Sequence, residues 1–215
     1  MDWQNLSTPL RIVLLLSAAA LLPAVIMCVT PFLRIVIVLH FLRQALGTQT
    51  APSNQVLVGL ALFLTFGIMR PAVSKIYDEA WLPHDRGQIS GNQAWEKARP
   101  VIHRHLLRFA REKDLALMLE LGHKARPRNA GEIELDTLVP AYVLSELRTS
   151  FQIGAALFLP FLVIDLVIAS VTLALGMVQL PPAMISAPFK ILLFVLVDGW
   201  NLVIGSLVKS FGPGG

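Results

Sequence analysis

The chain has 215 residues, 55% of them hydrophobic and 15% charged, with a net charge of +4 and a mean hydropathy of +0.65. A soluble domain carries about 25% charged residues, so the composition points to a membrane protein. The lone cysteine, Cys28, excludes an internal disulfide and leaves the redox compartment open.

Charge is concentrated in the middle. Of 32 charged side chains, 24 fall between Arg70 and Ser150, and the other 134 residues hold eight. The central 24 comprise 13 basic and 11 acidic residues, interspersed, so no basic stripe for nucleic acid forms. The pattern predicts an all-α, membrane-associated fold: a hydrophobic helical hairpin over 1–69, a small, mostly helical polar insert over 70–147, and a second hydrophobic hairpin over 148–215.

Between Arg11 and Arg34 lie 22 uncharged residues, enough for a span of about 20. Ala18-Ala19-Ala20 resembles a signal-peptide cleavage site, so a secretory signal stands as the rival reading. Ile35 to Leu42 is apolar, and Gly47 with the polar string to Gln55 predicts a turn. "VLVGLALFLTFGIM", Val56 to Met69, is 14 residues long, short for a span.

In the insert, Leu106, Phe109, Ala110 and Lys113 follow helical spacing. Pro100 predicts an early break and Gly122 a stop, and "PRNAGEIELDTLVP" reads as a loop. Thr149 to Leu175 holds one charge, Asp165, and "MVQLPPAM" predicts a turn. The final segment, "KILLFVLVDGWNLVIGS" over 190–206, contains Lys190 and Asp198.

Two echoes link the arms. "GLALFLTF" at 59–66 matches "GAALFLPF" at 154–161 in six of eight positions, and "PFLRIVIVL" at 31–39 resembles "PFKILLFVL" at 188–196. They occur in opposite order, which leaves an inverted repeat and a chance likeness of apolar strings both open. Arg34 and Arg43 beside the first turn and Lys190 near the second place both turns in the cytoplasm. The termini and the insert then lie outside, since long loops cross largely regardless of charge.

A charge at the bilayer centre costs roughly 2.5–3.5 kcal/mol on insertion scales. Asp165 has 16 uncharged residues before it and 24 after it, too many to reach the membrane surface. On one helix, Lys190 and Asp198 would lie about 80° apart, on one side. Such groups face protein or water, which makes the chain one piece of a larger assembly. No GxxxxGK, GxSxG or HExxH pattern occurs. His103 and His105 point apart on a helix, and His123 is close only in sequence. The residues therefore offer no metal site, no cofactor and no enzyme.

The stretches "PFLRIVIVLHFLRQALGTQTAPSNQVLVGLALFLTFGIMRP", "LVPAYVLSELRTSFQIGAALFLPFLVIDLVIASVTLALGM" and "LPPAMISAPFKILLFVLVDGWNLVIGSLVKSF" together resemble the FliP family of flagellar type III export-gate proteins, from about Leu21 to Phe211. The resemblance implies a pore-forming subunit in the inner membrane at the flagellar basal body. About five copies would wind helically with FliQ and FliR, with FliO as assembly factor and FlhA and FlhB in the same apparatus, passing unfolded protein substrates. It also implies that the helices form bent hairpins, with the assembly raised largely out of the bilayer. Arg34, Asp165, Lys190 and Asp198 would then be buried charges facing neighbouring helices or subunits.

The family's methionine-rich constriction corresponds here to Met177, Val178, Gln179, Leu180, Pro181 and Pro182, of which only Met177 keeps the methionine. A deformable seal suits Met, and a plain interhelical turn is the alternative. Many members carry a cleavable signal ahead of the first arm; here either the first apolar segment serves as an uncleaved signal or the chain is a mature form. Two other functions stay open: the equivalent subunit of a virulence injectisome, and a small-molecule transporter with Asp165 as its coupling group.

Overall fold

Long apolar runs that lack alternation favour helix over strand, and every regular element among the described residues is helical. The computed structural model describes residues 7–48, 50–125, 127, 129–177 and 181–212. Helix α1 (Thr8–Val29) opens with Pro9 in its first turn, where a missing N–H costs nothing. It is apolar all round and none of its most apolar stretch is buried. Thr30 and Pro31 end it and start α2 (Phe32–Ala45), whose Ile35, Val38, Leu39 and Leu42 form one fully buried stripe.

After a turn at Gly47, which takes the left-handed conformation at φ 74°, α3 (Asn54–Ile76) continues through a π-helical turn (Tyr77–Trp81) into the short α4 (Leu82–Asp85). Helix α5 (Gly91–Phe109) starts at a capping box: Gln93 N–H donates to Ser90 Oγ and Ser90 N–H to Gln93 Oε1. Helix α6 (Glu112–Leu121) stops at Gly122. Helix α7 (Leu135–Ala174) has 40 residues, about 60 Å of continuous rod. At its end, Gly176 N–H donates to Leu173 and Met177 N–H to Thr172, with Gly176 at φ 72°, the Schellman pattern. Helices α8 (Pro182–Leu196) and α9 (Gly199–Lys209) meet at a 65° bend.

Helix α7 is the spine. Helix α2 runs parallel to it, since Arg34 meets Glu146 and, further along, Phe41 meets Gly154. Helix α3 folds back on α2 through Ile35, Leu39, Leu57 and Ala61. The second hairpin packs Phe161 of α7 with Phe194, Val203 and Leu207 against Val38 and Leu42 of α2. Helices α5 and α6 cover the start of α7 through Leu106, Leu115, Leu138 and Tyr142. At one end the Gly47 turn lies beside the first half of α8, where a Cβ on Gly47 would be 3.8 Å from Ala187. The helices of the polar region and the end of α9 lie at the other, where Phe109 meets Phe211 at 5.3 Å between ring centroids.

The structure corrects several local expectations. Pro100 does not break α5, because it sits on the exposed face and removes a single backbone bond. Lys113 is not on α5, which stops at Phe109. The segment read as 14 residues is part of an unbroken helix over Asn54–Asp85, which extends beyond the apolar stretch. The loop read as ending at Pro140 gives way to α7 at Leu135. Boundaries at 69/70 and 147/148 both fall inside continuous helices, α3 and α7, so charge density changes where the backbone does not. Among the described residues, three helices are long and apolar enough to cross a membrane, α1, the rod Asn54–Asp85 and α7, and the bent pair α8–α9 makes a fourth if it is one span.

Candidate functional site

One cation from each apolar arm, Arg34 and Lys190, meets an acid on α7, which gives two sites. At the first, Arg34 of α2 forks onto Glu146: Nε donates to Oε2 at 2.8 Å and Nη2 donates to Oε1. Two parallel bonds between planar groups are the strong form of a charged pair. Nη1 donates to Ser210 Oγ at 3.0 Å, just past the end of α9. The guanidinium carbon also lies 4.0 Å from the Phe211 ring centre and 5.5 Å from that of Phe109. One cation thus joins α2, α5, α7 and the end of α9, with both partners buried.

At the second, Lys190 Nζ donates to Asp165 Oδ2 at 2.6 Å, and Ser186 Oγ donates to Asp165 Oδ1 at 2.6 Å. Ser186 and Lys190 are one turn apart on α8, so they reach the same carboxylate. Lys190 is buried, whereas the Asp165 side chain is 38% exposed. In both echoes a Pro-Phe pair precedes the cation, Arg34 in one and Lys190 in the other, and each cation finds an acid on α7.

Asp198 belongs to neither cluster. It is exposed, adopts φ 51° and ψ 51° at the residue before α9, and accepts a bond from Asn201 Nδ2 at 3.1 Å. The bend removes it from the Lys190 face expected of a single helix. Its neighbour Gly199 has no room for a side chain, because a Cβ there would lie 2.2 Å from the Phe194 ring. Of the constriction residues, Met177 is exposed, Pro182 opens α8, and Pro181 precedes it as N-cap. Val178, Gln179 and Leu180 lie outside the described residues.

Sequence reading missed Glu146, because the charge count assigned it to the polar insert. It also missed Gly154, where a Cβ would sit 2.5 Å from the Phe41 ring. A third missed group is Asp114 of α6, buried, which accepts from Ser145 Oγ at 2.7 Å and pairs with Arg148 at 3.2 Å. That bond ties the polar helices to α7. His103 bonds the Ile133 carbonyl, and no trio of His, Cys, Asp or Glu suited to a metal comes together among the described residues.

A profile of the FliP family matches residues 15–207. The chain belongs to the FliP family. It is 50% identical over 210 residues to the flagellar biosynthetic protein FliP of Bacillus subtilis strain 168, covering 98% of this chain and 95% of that one. It is 50% identical over 208 residues to FliP of Pectobacterium carotovorum subsp. carotovorum, with 97% and 81% covered. FliP of Aquifex aeolicus strain VF5 is 41% identical over 209 residues, with 96% and 87% covered. Arg34, Glu146, Asp165 and Lys190 all lie inside the matched range, and Ser210 lies just beyond it.

Proposed function

We propose that this chain is a pore-forming core subunit of the flagellar type III protein export gate. Several copies would assemble with FliQ and FliR in the inner membrane and pass unfolded flagellar proteins, with no catalysis of their own. The observation that carries this reading is the near full-length identity with flagellar biosynthetic FliP proteins. The open apolar faces support assembly. Phe63 and Phe66 on α3, and Leu162, Val163 and Leu166 on α7, are all more than half exposed in the single chain, a surface that marks interaction with lipid or protein.

The injectisome subunit is the second reading, and the flagellar relatives disfavour it. The transporter reading needs Asp165 as a free coupling group, and here it is held by Lys190 and Ser186. The Gly47 turn and the first half of α8 lie at one end and the polar helices at the other, which supports opposite sides for the turns and the insert, cytoplasmic and periplasmic in this reading. Met177, exposed just past α7, is the methionine this stretch keeps for a soft seal.

The deciding experiment is the mass of the detergent-extracted protein, expressed alone and then with its FliQ and FliR partners. A discrete heteromer containing several copies is expected. A stable monomer under both conditions overturns the gate. A reporter inserted near Gly131 should be active in the periplasm; cytoplasmic activity reverses the orientation.

A further inference from the structure

A groove of about 520 Å³ runs along the outer face of α3. Gly59, Leu62, Phe63, Phe66, Met69 and Val73 line it at helical spacing. Thr30, where α1 ends, closes one side, and Thr65 is buried at its base. Both hydroxyls are already used: Thr65 donates to the Ala61 carbonyl at 2.7 Å, and Thr30 to that of Ile26 at 2.7 Å. Among the described residues, no charged side chain lines the groove. It suits an occupant that is apolar and brings no polar group of its own.

The same chain carries an element that fits. Helix α1 is the most apolar of the helices able to span, and none of its most apolar stretch is buried. Its last turn is held on the α7 side, where Val29 packs against the cluster of Leu138 and Tyr142. The body of α1 leaves its own α3 groove open. The uncharged lengths agree. Residues 12–29 of α1 are 18 without a charge, about 27 Å, and residues 54–69 of α3 are 16, about 24 Å. Leu14, Leu21 and Val25 share one exposed face of α1, and in the groove Phe63 is 81% and Phe66 69% exposed. An aromatic ring buries about 150–250 Å², so these two supply a large part of the roughly 800 Å² per partner that a specific interface needs.

We propose that the α3 groove of one copy is filled by α1 of a second copy. Rod and groove are different surfaces, so the contact is head-to-tail: each copy gives its rod to one neighbour and receives another's. A contact of this kind repeats, closing into a ring or winding into a helix. The inference rests on the reading that several copies assemble and not on what they pass.

The test uses the full chain co-expressed with its partners, in a Cys28→Ala background. One copy carries Phe63→Cys, and a differently tagged copy carries Leu14→Cys, Leu21→Cys or Val25→Cys. Oxidation should link the two tags at one or more of these positions, which requires a contact between chains. Phe63→Ala with Phe66→Ala should weaken association of the copies roughly tenfold, as loss of central aromatic anchors does. Both rings are exposed in the single chain, so its melting temperature should not change. An intact multi-copy complex with no link at any of the three positions overturns the proposal and leaves the export gate standing. A link confined to a single chain that carries both cysteines places α1 in its own groove and also overturns it. So does a photo-crosslinker at position 63 that captures lipid or a different protein. A protein that stays monomeric overturns this contact and the gate together.

Discussion

The two ion pairs on α7 are built from similar sequence and sit in different surroundings. At Glu146 the pair is enclosed by four elements, and the side chains are 5% and 0% exposed. At Asp165 the acid faces outward beside α8 alone. Enclosing a charged pair raises both its desolvation cost and the penalty for removing one partner. The difference teaches that the same Pro-Phe-cation echo supplies a clamp at one end of the spine and a looser tie at the other. The tie lies where the second hairpin leads to the Met177 turn.

The comparison predicts a graded response to mutation. Glu146→Ala should cost about 3–5 kcal/mol, because Arg34 is left buried and unpaired. It should show as loss of folded protein in size-exclusion chromatography. If its melting temperature matched wild type, the clamp would carry no weight. Gly154→Ala should cost roughly 1–3 kcal/mol by overpacking. Phe41 is already held by Phe151 and Phe158 at 5.1 and 6.1 Å between ring centroids. Adding Phe41→Ala should recover part of that loss, and a Gly154→Ala protein of full stability would deny the contact.

Acid should act on the clamped end first. Burial, with a smaller contribution from the nearby Arg108 and Arg34, holds the His105 pKa down to about 4. Below the ordinary value of 6.5, the unfolded chain takes up a proton that the folded chain refuses. Stability from neutral His105 is complete above pH 6.5 and is lost as pH falls toward 4. The loss should be on the order of 3 kcal/mol once the pH is below 4. His105→Gln should flatten that part of the melting curve between those pH values, and an unchanged slope would count against it. The smallest effect belongs to Asp165→Ala, about 1 kcal/mol, since the acid is half-open and the flexible stem of Lys190 can swing toward that open side. A loss as large as that of Glu146→Ala would erase the contrast between the two ends.

Much of the fold class was legible. Two uncharged arms around a charged middle are a bulk property, and length alone identifies helices able to span. The helix limits were harder to read. Pro140 and Pro160 are break signals, yet α7 runs through both, because packing against α2, α5, α6 and α8 outweighs the backbone bonds they remove. Within the site, Lys190 and Asp165 stand out in sequence, since an isolated charge in an apolar run demands a partner. Glu146 does not stand out, because it follows a polar stretch and its partner is 112 positions away. Asp198 misleads for a local reason. Its left-handed backbone turns the chain, and a calculation that assumes one straight helix cannot include that turn.

The long separation between Arg34 and Glu146 also has a meaning in time. A ribosome adding about 5–20 residues per second makes Arg34 roughly 6–22 s before the acid that neutralises it. Lys190 follows Asp165 by 25 residues, about 1–5 s. The first hairpin therefore emerges carrying an unpaired guanidinium and waits for the spine, whereas the second is born almost complete. Early in synthesis, the nascent first arm depends on water, headgroups or an attendant protein, and a pause in translation before residue 146 would prolong that dependence.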